Sequence, residues 1–180
     1  MADKLTLSAI HARFRQLRSG ELADTLASQG IKYRLAWGLE SYRLREIAQD
    51  FEPSAELAEA LWNEDVRESK MLATRLYPVG EMTIAKATAW VRNTKYAEIA
   101  DQLCMNLLSK MQNAGEVISE LAKMDIAAEP IAAYTALMLA VRNEIMNDEL
   151  KVLAEKIIGN NAPAYLKTAA IRYKQQYDQE

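Results

Sequence analysis

The sequence predicts an all-α fold, a right-handed solenoid built from antiparallel helix pairs. Three observations predict it. Only six Gly and four Pro interrupt 180 residues, and the helix formers Ala, Leu, Glu, Lys and Arg dominate between them. Apolar residues recur at helical spacing in segment after segment, and no stretch alternates with period two beyond a few residues. The segments are joined by short turns, as in packed helical arrays.

Each element has its own signals. Ile10, Phe14 and Leu17 mark a helix over 7–18, ended by Ser19-Gly20. Leu22, Ala23 and Leu26 mark a second over 21–29, stopped by Gly30. Residues 31–39 are the least periodic of the N-terminal half and read as an ordered loop or short helix. Ser41 is a candidate N-cap for 41–50, with Leu44 and Ile47 inward. Pro53-Ser54 opens 54–62, striped by Leu57, Ala58, Leu61 and Trp62. Asp65 is a candidate cap for 65–77, which packs Met71, Leu72 and Leu76. Thr83 caps 83–91. A longer helix over 95–112 is expected to bury Ile99, Leu103, Met105, Leu107 and Leu108. Val117, Ile118 and Leu121 face inward from 113–124. Pro130 starts the next helix in the first turn, where its missing N–H costs nothing. Asn147 caps 147–159, and Ala162-Pro163 opens the last helix, to about Tyr177.

These segments fall into pairs: 54–62 with 65–77, 83–92 with 95–112, and 130–145 with 147–158. A pair spacing of about 30–45 residues is that of HEAT-like or armadillo-type superhelices, which favours a solenoid over a closed bundle. The length suits one domain, 1–180.

Composition bounds the function. The net charge is −3, without the overall basic excess usual in a dedicated nucleic-acid binder. The charge is uneven, however: eight Lys/Arg against six Asp/Glu in 1–50, but eight against twelve in 51–125. One cysteine, Cys104, excludes an internal disulfide and suits a reducing compartment. No leader is read at the N-terminus and no run approaches the about 18 apolar residues of a membrane span. The expectation is a cytoplasmic protein with no membrane partner. His11 is the single histidine, so no His-based triad or zinc site can be assembled. No Gly-rich phosphate loop occurs, and neither a metal nor a cofactor is expected.

Two basic sets could meet phosphate. Arg67, Lys70 and Arg75 share one helix, with pairing of Arg67 to Glu64 and of Lys70 to Glu68 or nearby acids as the competing structural reading. Arg13, Arg15, Arg18, Lys32, Arg34, Arg43 and Arg45 interleave with Tyr33, Trp37 and Tyr42, a mixture that suits nucleic acid or a protein interface. Trp62 and Trp90 read as core, and Cys104 as a buried small hydrophobe.

Three segments resemble one family. Gly38-Leu39-Glu40-Ser41-Tyr42-Arg43-Leu44-Arg45-Glu46-Ile47-Ala48 is similar to a segment of the AlkD-like DNA alkylation repair glycosylases. The run Ala60 to Ala73 resembles that family's Leu-Trp, acidic turn, Arg-Glu and apolar helix, and Thr94 to Asp101 its segment with the catalytic carboxylate. The resemblance implies a HEAT-like solenoid holding duplex DNA on a concave positive face. It also implies hydrolysis of the N-glycosidic bond of alkylated purines, where a carboxylate stabilises the developing oxocarbenium charge. Asp101 falls at the aspartate position, with one residue gapped after Lys95, and Glu98 is a second carboxylate three residues earlier. Ala97 stands where the family has Trp, with aromatic Tyr96 beside it, and Tyr134 stands where the family has Arg. The implied catalytic residues are therefore Asp101 and Glu98. The implied nucleic-acid contacts are Arg43, Arg45, Arg67, Lys70, Lys95, Tyr96 and Tyr134. The implied function is duplex DNA binding with a degenerate glycosylase site. The alternative is a non-enzymatic scaffold that binds a protein partner through its helical repeats.

Overall fold

The computed structural model describes residues 4–179, with side chains from Thr6 onward. Eleven α-helices and two 3₁₀ turns make up its regular structure, and an isolated bridge is the one β feature among the described residues. The all-α class is as the sequence predicts. The chain forms two compact units, Met1–Glu81 and Met82–Glu180.

The first unit holds α1 (Lys4–Leu17), α2 (Gly20–Ser28), α3 (Ser41–Ala48), α4 (Ala55–Trp62) and α5 (Arg67–Leu76). Helix α5 packs against both α4 and α3. Ile10, Phe14, Leu44, Ile47, Leu61, Met71 and Leu72 are buried in its core, each methylene removed from water contributing about 0.8 kcal/mol. Ser19 and Ser54 cap α2 and α4 by accepting from the amides of Leu22 and Leu57.

Two expected caps act elsewhere. Ser41 is the first residue of α3 rather than its cap, and its hydroxyl accepts from Arg75 Nη2 at 2.8 Å. Asp65 does not cap α5, because its carboxylate accepts from the Arg34 amide. The backbones of Leu35 and Val66 form a parallel bridge that keeps Val66 extended, so α5 starts one residue past it.

That bridge belongs to the aperiodic 31–39 segment, an ordered loop. Glu68, fully buried on α5, accepts from the amides of Trp37, Gly38 and Leu39 at 2.9, 3.1 and 3.2 Å. Gly38 adopts φ +70°, and a Cβ there would stand 2.1 Å from the Ser19 carbonyl oxygen, so only glycine fits.

The second unit holds α6 (Ile84–Arg92), α7 (Ala97–Asn106), α8 (Ala114–Ala122), α9 (Pro130–Asn143), α10 (Asp148–Gly159) and α11 (Ala164–Tyr177). Helix α9 is its centre, buried almost continuously from Ala132 to Val141 and packed by α7, α8 and α11. Thr83 and Asn147 cap α6 and α10 as the sequence indicates.

The expected pairing is only partly realised. Helices α4 and α5 pair, but α6 packs chiefly on α8 and α9, and α10 chiefly on α11. The 95–112 helix is also broken. It ends at Asn106, and a 3₁₀ turn, Leu108–Lys110, follows. Leu107 and Leu108 are both buried across this break, and Met105, in the last turn of α7, is 38% exposed rather than inside. Trp62 and Trp90 are core residues, as read. No helix among the described residues is long and apolar enough to cross a membrane.

Candidate functional site

In the second unit α7, α9 and α11 bring a carboxylate, two phenol rings and two guanidinium groups together. Asp101, half-buried on α7, accepts a hydrogen bond from the Tyr134 hydroxyl of α9 at 2.8 Å. The Tyr134 ring meets the Tyr165 ring of α11 edge-on, with centroids 5.4 Å apart, a favoured aromatic geometry. Exposed Arg142 of α9 and Arg172 of α11 both act electrostatically on Asp101.

These surroundings set the protonation chemistry. Burial pushes the Asp101 carboxyl above the usual carboxylate range; the Tyr134 hydrogen bond and the two arginines oppose this, and Glu98 adds to it. Burial, and then the bond to Asp101, push the Tyr134 phenol well above its ordinary value, so it remains a donor across the accessible pH range. Cys104, one turn below Asp101, has its thiol pushed up to about 12 by burial, which makes it an inert core group.

The remaining sequence candidates are scattered. Glu98 is half-buried in the first turn of α7, with Tyr96 at the helix cap and exposed Lys95 before it. In the first unit Arg43 and Arg45 are exposed on α3. Arg43 donates to Glu46 at 3.2 Å and lies 4.9 Å over the Tyr42 ring.

Arg67 departs from expectation. Arg67 is 4% exposed, and its Nη1 donates to Glu68 and to the Leu39 carbonyl, both at 2.8 Å. A guanidinium so enclosed presents no donor to a phosphate. Lys70 turns back over Trp62, its Nζ 4.8 Å from the ring and bonded to the Trp62 carbonyl. Glu64, offered by the sequence as a partner for Arg67, meets His11 and Ser69.

Sequence reasoning missed Tyr165, Arg142 and Arg172. The signal was faint: Tyr165 and Arg172, seven residues apart, share one face of α11, but nothing local ties that face to Asp101. Among the described residues no group of three or more His, Cys, Asp or Glu could hold a metal.

The sequence profile of the DNA alkylation repair enzymes matches residues 10–163. This chain belongs to the DNA alkylation repair enzyme family. The family match ends one residue short of α11. A solved structure from a new family of proteins related to the HEAT-like repeat DNA glycosylases, with affinity for branched DNA structures, is similar in fold. The TM-score is 0.77 at 13% identity, covering 94% of this chain and 74% of the other. The fold is therefore that of the HEAT-like repeats. No curated protein matches the sequence.

Proposed function

We propose that this alkylation repair family member binds duplex DNA on a concave positive face, at the α7–α9–α11 surface around Asp101, and that it hydrolyses alkylated purine nucleotides slowly or not at all. The hydrogen bond from Tyr134 to Asp101 carries the reading. A carboxylate aids glycosidic cleavage by presenting unbalanced negative charge to the sugar as it becomes cationic. Here one carboxylate oxygen is already engaged by a phenol that does not ionise in the accessible range, which weakens that field. Asp101 remains half-exposed and feels the charges of exposed Arg142 and Arg172, an arrangement suited to holding a nucleic-acid strand. Any residual turnover is assigned to Asp101, with Glu98 as the neighbouring carboxylate. Arg43, Arg45, Lys95 and Tyr96 are the further contacts. Residues 1–180 act as one domain, in the cytoplasm, with no cofactor.

Fluorescence anisotropy with a labelled duplex and a labelled four-way junction tests the reading, because the similar solved structure comes from proteins with affinity for branched DNA. Affinity should fall steeply between about 50 and 200 mM salt as phosphate counterions are released. No binding even at low salt would contradict it. Any release of a methylated purine from alkylated duplex should vanish in Asp101→Asn, and ordinary turnover in that variant would remove Asp101 from the mechanism.

A protein-interaction scaffold is the second reading. It is favoured by exposed Leu17 and Tyr42 along an open cavity of about 410 Å³ between α2 and α3. Failure of both DNA probes to bind would leave this reading in place.

A further inference from the structure

We infer that Arg142 and Arg172 grip the phosphodiester backbone of bound DNA, so that α11 supplies half of the contact surface around Asp101. The inference rests on the DNA-binding reading and assigns the phosphate contact to particular side chains. Neither arginine has a role in the sequence reading, and α11 lies past the residues that match the family.

Three observations lead there. First, both guanidinium groups are exposed, and among the described residues neither has an ion-pair partner. Arg13, Arg43, Arg67 and Arg92, by contrast, engage Asp50, Glu46, Glu68 and Glu129. An arginine without a protein acceptor keeps its whole fork of N–H donors for an external oxyanion, and that fork matches phosphate.

Second, the two arginines stand at neighbouring places on packed helices. The side chain of Gln176, one turn after Arg172 on α11, bonds the carbonyl of Val141, the residue before Arg142 on α9, and Asp101 feels both charges. Asp101 is the carboxylate both act on, and Glu98 stands three residues before it on α7. One oxygen of Asp101 is engaged by the Tyr134 hydroxyl, and two guanidinium groups stand against that one carboxylate, so the pair keeps its pull on a polyanion.

Third, the platform is rigid. Helices α9 and α11 pack along their length, joined by the Tyr134–Tyr165 ring contact and by the bond from Gln176 Nε2 to the Val141 carbonyl. Tyr165 and Arg172 share a face of α11, separated by about 10 Å of helix rise. Side chains anchored on packed helices hold a strand in register better than side chains on loops.

The test is the salt dependence of duplex binding for Arg142→Gln, Arg172→Gln and the double variant. Lys123→Gln, whose ammonium engages Glu120 at 2.9 Å, serves as the control. Each arginine substitution should weaken binding and lower the slope of log affinity against log salt by about 0.9, the double variant by about twice that, with the control unchanged. Circular dichroism melts confirm that the variants fold. If the wild type binds and the arginine variants keep its slope, the inference is overturned while DNA binding stands. If the wild type binds no duplex at all, both fall.

Discussion

Glu68 and Asp101 are two acidic residues on largely buried helices, and they serve opposite ends. Glu68 in the first unit is fully buried and takes three loop amides and the Arg67 guanidinium. Its acceptor capacity is spent inside the protein, and it holds the 31–40 loop against α5. Asp101 in the second unit is half-buried, and Tyr134 is its one hydrogen-bond donor among the described residues. What separates a structural carboxylate from an available one is the number of donors already committed to it, more than depth alone.

The contrast fixes what substitutions should do. Glu68→Gln removes the charge that Arg67 meets at 2.8 Å inside the protein, and breaking such a buried pair costs about 3–5 kcal/mol. Urea denaturation should show that loss; a change below about 1 kcal/mol would mean that the loop is held by other bonds. Gly38→Ala tests the same loop from its backbone. The required left-handed φ alone costs about 1–3 kcal/mol, and a Cβ 2.1 Å from the Ser19 carbonyl oxygen should take the loss beyond that, read from the same denaturation curves.

Asp101→Asn should move stability far less, and in the other direction. Burial raises the folded Asp101 pKa above its unfolded value. The native state therefore holds the proton more tightly, and this contribution is fully present below the unfolded pKa and is lost as pH rises through the folded one. The asparagine, which can still accept from Tyr134, should gain under about 1 kcal/mol near neutral pH, since solvent screens a half-exposed group. The gain should disappear in acid below the unfolded aspartate pKa. Thermal melts at the two pH values read the difference, and a fall in the neutral-pH melting temperature would show that the ionised carboxylate is a net stabiliser.

The sequence made the helices legible because caps and apolar stripes are local. Thr83, Asn147 and Ser54 announce helix starts by their chemistry alone. It misled where a side chain was taken by a distant group. Asp65 reads as a cap, but the amide of Arg34 claims it. Arg67 and Lys70 read as surface cations, but Arg67 is buried against Glu68, and half-buried Lys70 lies over the Trp62 ring. The family was legible in short segments, and Asp101 with Tyr134 came from aligning them. Tyr165, Arg142 and Arg172 were hidden because their relation to Asp101 exists only once α9 and α11 pack, and helical periodicity carries no record of which helix becomes the neighbour.

The most direct test asks whether Asp101 looks onto bound nucleic acid. Anisotropy titrations of the labelled duplex with wild type and Asp101→Asn at low salt compare one charge with none at nearly constant shape. Removing a carboxylate that faces phosphates relieves a repulsion of a few tenths to about 1 kcal/mol in a well-hydrated setting, so the variant should bind up to about fivefold more tightly. Identical affinities would place Asp101 away from the DNA and contradict the account.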